Sequence, residues 1–384
     1  MKQILGLILE LNPFHNGHYY FINKAKEKTN PDCTIAVVSG NFTMRGDISV
    51  IDKSTKASLL LAAGIDIVLE LPFISTVNSA DYFAGNAINI LHSFQINNLC
   101  FGVELENINK LLQMKDIINN EEFDAQVRSF INKGHSYSAS YYQALKLFTN
   151  DQEIIDNFTL PNNTLAIQYL RYSEQVKNDI IITLIKRIDN NYYDKLPTGV
   201  ISSATSLREL LRKKKDIHEY LPDFCNNIDF FNLEQAEDNL LFLLKYRFLN
   251  KHGFENILGV NEGIENRIAT FINITNNYHA FIKMIQTKRY PINKIKRLIL
   301  HILLDSNKKY EMSFNHYLRL LAASKKGLNY INKLPKETKN RIITSFKNTT
   351  NEIALTELKA SYLYDIVTKQ DLLQNEFKFP IINK

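Results

Sequence analysis

Short apolar runs alternate with helical patterns through the first half of this chain, and that alternation limits its fold more than any other feature. The apparent strands are ILGLILEL at 4–11, CTIAVVS at 33–39, IDIVLEL at 65–71, NNLCFGV at 97–103 and DIIITLIK at 179–186. Between them lie GHYYFINKAKEK, DKSTKASLLLAAG and SADYFAGNAINILHSF, each with apolar residues at helical spacing. Gly64 follows the second of these, where a left-handed residue is expected to end the helix. Strands alternating with helices make βαβ units, hence an α/β fold with a parallel sheet and right-handed crossovers. Such sheets bind ligands beyond the carboxyl ends of their strands, so site residues are sought just after each apolar run.

Residues 106–176 lack strand signals and read as a helical insertion before the last of these strands. Past Arg212 the rhythm stops, and the remainder reads as mostly helical. At 384 residues, two domains are expected: 1–212, and a helical unit over 213–384. Apolar and charged contents of 45% and 22% are those of a soluble globular protein. Cys33, Cys100 and Cys225 are odd in number and far apart, which argues against a disulfide framework or a zinc site and for a reducing, cytoplasmic setting. The opening MKQILGLILEL is broken at Glu10 with no small-residue cleavage site after it, so it reads as a buried strand rather than a leader. No stretch approaches the roughly 18 apolar residues of a membrane span.

The segment LNPFHNGHYYFI at 11–22 places two histidines around a glycine where a strand ends and a helix begins. Helix starts carry free N–H groups and partial positive charge, which suit phosphate. Imidazole donors at His15 and His18 add to that field, and Gly17 lets a nucleotide approach the backbone. Together they form a triphosphate cradle able to stabilise charge on a phosphate under attack. Taken alone, the four-residue pattern is equally that of an ordinary polar loop. ISSATSLREL at 201–210 opens a later helix, with Ser206 and Glu209 in capping-box spacing or the start at Ser203. Ser203, Ser206 and Arg208 are the second phosphate candidates; a plain capped helix is the alternative.

An HxGH loop followed by an ISSxTxxR helix start resembles the adenylyl-transferring nucleotidyltransferase superfamily. With ELNPFHNGHYYFI, VVSGNFTMRGD, DKSTKASLLLAAGIDIVLELP, FGVE, LPNNTLAIQYL and TKRYPINKIKRLILHILL in order, nearly the whole chain resembles the bacterial tRNA(Met) cytidine acetate ligases. The resemblance implies a Rossmann-like parallel-sheet nucleotidyltransferase domain with a helical insertion, followed by a mostly α-helical C-terminal domain. It implies adenylation of acetate by ATP, with Mg²⁺ as phosphate counter-charge, and transfer of the acetyl group to N4 of the wobble cytidine of elongator tRNA(Met). No protein partner and no membrane are implied. The ATP-binding loop corresponds to Leu7, Ile8, Leu9, Glu10, Leu11, Asn12, Pro13, Phe14, His15, Asn16, Gly17, His18, Tyr19 and Tyr20, with Gly102, Asn162 and Arg187 as further contacts. His15 and His18 take the catalytic role.

The chain departs from the family at Leu11, where a tyrosine is usual, at Asp47-Ile48-Ser49 after Gly46, and after Arg187, where relatives tend to carry histidine. Ser39, Asn41, Arg45 and Lys53 follow the second strand and are placed to reach substrate or pyrophosphate, or are turn residues. In FIKMIQTKRYPINKIKRLILHILL, Lys283, Lys288, Arg289, Lys294, Lys296 and Arg297 surround Tyr290 with no acidic residue among them, a candidate tRNA-binding face with possible stacking. A solvated helix face is the plainer reading. A small-molecule adenylyltransferase of the same superfamily is the rival function, and a non-catalytic RNA-binding protein the second rival.

Overall fold

The computed structural model describes residues 2–135, 137–176, 179–187, 202–249, 253–310 and 317–383. The five expected strands form as β1 (Ile4–Leu9), β2 (Cys33–Ser39), β3 (Ile67–Leu71), β4 (Asn98–Val103) and β5 (Ile181–Lys186). They pair in parallel in the order β5-β4-β1-β2-β3. The helices α1 (Asn16–Thr29), α2 (Lys53–Ala62), α3 (Phe73–Thr76) and α4 (Ala80–Ser93) make the crossovers. Gly64 has a φ of 81°, as its place after α2 requires. The expected insertion is five helices: α5 (Ile108–Ile118), α6 (Glu121–Asn132), α7 (Tyr137–Phe148), α8 (Gln152–Asn157) and α9 (Pro161–Gln175).

After α10 (Ala204–Arg212) come α11 (Leu233–Leu249), α12 (Ile264–Phe271), α13 (Tyr278–Ile285) and α14 (Ile292–Leu303). The chain then returns to the sheet through β6 (Leu318–Ser324), which runs antiparallel beside β3. Next come α15 (Lys325–Ile331), α16 (Lys336–Asn340), β7 (Ile342–Ile343), α17 (Glu352–Thr368) and β8 (Ile381–Asn383). Both short strands pair in parallel with β6. The second half is thus mostly helical, and it also lends three strands that its apolar pattern does not announce.

Strand alternation sends side chains to two cores, because successive residues face opposite sides of a sheet. Leu5, Leu7 and Leu9 of β1 face α1, α2 and α10. Leu99, Phe101 and Val103 of β4 face α4 and α9. A third core joins α11–α14 and α17 to Phe42, Ile48 and Val50, which lie in the loop after β2. The helical half is therefore packed directly on a loop at the rim of the sheet.

Candidate active site

The carboxyl ends of β1, β4 and β5 open on a cleft of about 1510 Å³, counting its mouth, and the loop from β1 to α1 forms its floor. Of the expected loop residues, Ile8, Leu9, Glu10, Leu11, Asn12, His15, Gly17, His18 and Tyr20 line it. Leu7, Pro13, Phe14, Asn16 and Tyr19 do not; Leu7 and Phe14 are core residues, and the Tyr19 ring packs edge-on against Phe224. The Asn12–Pro13 peptide is cis. Leu11 has a φ of 57°, a left-handed backbone costing a residue with a β-carbon about 1–2 kcal/mol. Its fully buried side chain holds the loop in that shape.

His15 is the N-cap of α1, and its Nδ1 accepts the Gly17 N–H at 3.0 Å. That bond uses one helix-start amide and leaves Nε2 as the ring's donor. His18 lies in the first turn, its ring 3.8 Å from that of His15. Its Nδ1 is buried with no partner among the described residues. Burial, then Arg187 and Lys56, hold the His18 imidazole down at about 3. His15 is likewise lowered, by burial and then by His18, Arg187 and Arg208. Both rings are neutral at pH 7, so they act as hydrogen-bond donors rather than cations.

The second expected segment meets the first. Ser203 caps α10 by accepting the Ser206 N–H at 3.1 Å, so the helix starts there, and Glu209 pairs with Arg212 instead of closing a box at Ser206. Ser203 and Arg208 line the cleft, whereas Ser206 lies behind it, its hydroxyl 2.9 Å from that of Ser203. Arg208 donates to the Asn12 carbonyl at 2.7 Å and lies 3.7 Å from Asp47. The Asn12 amide in turn accepts the Val50 N–H at 2.8 Å and donates to the Ile48 carbonyl at 3.2 Å. Asn12 is thus a brace between loops.

Gly102 also lines the cleft, with an added β-carbon 3.6 Å from Arg187 Cγ. Asn162 stands at the start of α9, its Nδ2 donating to Glu104 at 2.5 Å and its Oδ1 accepting from Arg187 at 3.3 Å. Glu104 also receives the Asn162 and Asn163 amides, the stabilising place for a carboxylate at a helix start. Burial lowers the Arg187 guanidinium, opposed by Glu104. Residues 188–201 lie outside the described residues, and Ile201 of the ISSATS stretch with them.

The rim residues after β2 divide. Arg45 lines the cleft. Ser39 donates to the Glu10 carbonyl at 2.9 Å, and Asn41 accepts the Lys53 N–H at 2.9 Å. Lys53 turns away into a buried cluster with Glu70, Glu357 and Glu376 at 2.7, 3.0 and 2.6 Å. The expectation that Lys53 reaches substrate is therefore corrected, because three carboxylates claim its ammonium. Sequence reading missed Thr43, Asp47, Phe83, Phe101, Leu165 and Tyr169, all of which line the cleft. Thr43 and Asp47 lie within SGNFTMRGD, Leu165 and Tyr169 within LPNNTLAIQYL, and Phe101 beside Gly102 at a strand end, whereas Phe83 had no such local signal.

The basic run divides as well. Lys283, Lys288 and Arg289 are exposed, and Lys294 is half-buried over the Tyr290 ring, 4.1 Å from its centroid. Lys296 and Arg297 point inward, to Asp47 at 2.6 Å and to the Met44 carbonyl at 3.4 Å. Tyr290 is buried with its hydroxyl donating to the Asn261 carbonyl at 2.6 Å, so it offers no face for stacking on a base. Among the described residues no helix is long and apolar enough to cross a membrane.

Known proteins resemble this chain over nearly its whole length. The HIGH Nucleotidyl Transferase family matches residues 1–378. The tRNA(Met) cytidine acetate ligase of Clostridium novyi (strain NT) is 32% identical over 394 residues, covering 98% of each chain. That of Thermosipho africanus (strain TCF52B) is 33% identical over 364 residues, 90% of this chain and 86% of the relative. The chain belongs to the tRNA(Met) cytidine acetate ligase family. Solved structures agree: apo Thermotoga maritima TmcAL superposes with a TM-score of 0.86 at 28% identity, covering 99% of both chains. The same protein bound with alpha-thio ATP gives 0.82 at 26% identity and the same coverage. In this member of the ligase family His15, Gly17 and His18 of the loop, Gly102, Asn162, Arg187, and Ser203 and Arg208 of α10 and its cap all face one cleft.

Proposed function

We propose that this cleft binds ATP, adenylates acetate, and passes the acetyl group to N4 of the wobble cytidine of elongator tRNA(Met) in the cytoplasm. The observation that carries the reading is the meeting, at the strand ends, of two neutral histidines, two arginines and a capped helix start in a chain of this family. The triphosphate lies against His15, His18 and the start of α10, with Arg187 and Asn162 beside the rest of the nucleotide. A carboxylate oxygen of acetate attacks the α-phosphorus. The bond from that phosphorus to the bridging oxygen breaks, and pyrophosphate leaves with the electron pair.

The Nε2–H of His15 and the ring of His18 are neutral donors set against charge that develops on the phosphate, where preorganised hydrogen bonds lower a barrier most. The cytidine amine then attacks the acyl carbon and AMP departs. Among the described residues no group of three or more His, Cys, Asp and Glu could hold a metal ion. Mg²⁺ enters on the triphosphate as its counter-charge. Lys283 and Lys288, with Arg289 in an exposed pair with Glu262, are the cations of this run placed to meet tRNA phosphates, which makes tRNA affinity fall with salt. The test is exchange of labelled pyrophosphate into ATP: exchange that requires acetate and not tRNA supports the first step, and exchange indifferent to acetate contradicts it.

A further inference from the structure

The cleft straddles the end of the sheet, and its two sides differ in chemistry. On the side of α1 and α10 stand the polar His15, His18, Ser203 and Arg208, with the rings of Tyr20 and Phe21 beside them. On the side of α4 and α9 stand Ile8, Phe83, Phe101, Leu165 and Tyr169. Strand alternation produces the division: Ile8 and Phe101 face the α4/α9 core, while their neighbours Leu9 and Cys100 face the other. Leu165 and Tyr169 are one helical turn apart on α9 and therefore share a face. The Phe101 and Tyr169 rings lie 5.4 Å apart between centroids. Glu10 lies at the boundary, anchored by accepting the Met44 N–H at 2.7 Å.

A triphosphate gains nothing from such an apolar wall, whereas the methylenes of an acyl chain do. We infer that Ile8, Phe83, Phe101, Leu165 and Tyr169 form the acyl pocket, with Leu165 setting the length of carboxylic acid accepted. The inference rests on the adenylation reading above. The acid's carboxylate sits at the boundary beside the α-phosphate, and its methyl group turns into the wall. Leu165 is half-buried while Phe83 and Phe101 are buried, so it is the wall residue whose truncation opens space with least harm to the core. Burial, reinforced by Glu10, raises the Tyr169 phenol, which stays protonated.

The experiment is pyrophosphate exchange driven by acetate, propionate or butyrate, in the full-length wild type, Leu165→Ala and Phe83→Leu. Pocket methylenes discriminate by roughly 10–200-fold. The wild type is expected to favour acetate, and Leu165→Ala to raise the butyrate-to-acetate ratio of kcat/KM by about 10-fold or more. Phe83→Leu, which keeps an apolar side chain, shifts the ratio in the same direction. An unchanged ratio with a raised KM for ATP would assign the wall to the nucleotide and overturn the inference. An unchanged ratio with a raised KM for tRNA in the complete reaction would assign it to the cytidine base and overturn it equally. Absence of exchange with every acid in the wild type would instead overturn the adenylation reading, and the pocket with it.

Discussion

Lys296 Nζ lies 2.6 Å from Asp47 Oδ1, joining the middle of α14 to the loop that walls the cleft, across 249 residues of sequence. Asp47 is 3.7 Å from Arg208, which holds the Asn12 carbonyl. Lys296 and Arg208 together keep the Asp47 carboxyl far below the usual range despite its burial. Gly46 beside it has a φ of 78°, and an added β-carbon would fall 2.5 Å from the Arg297 nitrogen. The helix read from sequence as an RNA-binding face is thus also a support of the nucleotide site.

Lys296 is accordingly a positioning residue. Lys296→Ala should lower acetate-dependent pyrophosphate exchange about 10-fold or more, since removing one partner of a buried pair costs on the order of 3–5 kcal/mol and leaves Asp47 to the more distant Arg208. Lys296→Arg should restore much of it, and tRNA affinity in a filter-binding assay should change little. A large loss of tRNA affinity with normal exchange would return Lys296 to the RNA-binding face.

His18→Ala should abolish adenylate formation while leaving tRNA binding near normal. Removing one preorganised donor costs about 10²–10³-fold in kcat. The check is exchange rate beside tRNA affinity in the same preparation; retained exchange would remove His18 from the chemistry.

The buried histidines make stability depend on acid in a defined direction. His18 is held at about 3 and His301 at about 4, and His15 is lowered as well, against about 6.5 in an unfolded chain. Between these values the unfolded chain binds more protons, so stability falls as pH drops below about 6.5, by up to about 1.4 kcal/mol per pH unit for each histidine. Urea midpoints at pH 7, 6 and 5 should fall in that order, and a replacement of His301 should flatten the trend.

Lys53 is the hub of three buried carboxylates, with Arg319 Nη2 also 3.4 Å from Glu376. Burial and Glu357 raise the Glu70 carboxyl against the pull of Lys53, the direction that favours a proton on Glu70 where three carboxylates meet two cations. Lys53→Met should destabilise by roughly 3–5 kcal/mol, the cost of stranding a buried charge. Glu70→Gln, which mimics the protonated form, should be tolerated. Urea unfolding of the two variants separates these outcomes.

The first five strands were legible because each is a short apolar run set between helical patterns and closed by a turn or helix start. β6 was not: LRLLAAS is built from leucine and alanine, both good helix formers, and a short apolar run has no periodicity of its own. Its Arg319 is buried only because Glu376, far along the chain, meets it. The histidine loop was legible for the opposite reason, since His15 and Gly17 make their contact within the loop. Lys53, Lys296 and Asp47 were misplaced or missed because their partners lie hundreds of residues away. The apolar wall was hidden likewise, its members scattered over β1, α4, β4 and α9.

The most direct test of the account is an incubation of the protein with ATP, labelled acetate and bulk tRNA, followed by nucleoside analysis. The account predicts label in N4-acetylcytidine from elongator tRNA(Met), dependent on ATP and indifferent to acetyl-CoA. Bound ATP with no label in any nucleoside would contradict it.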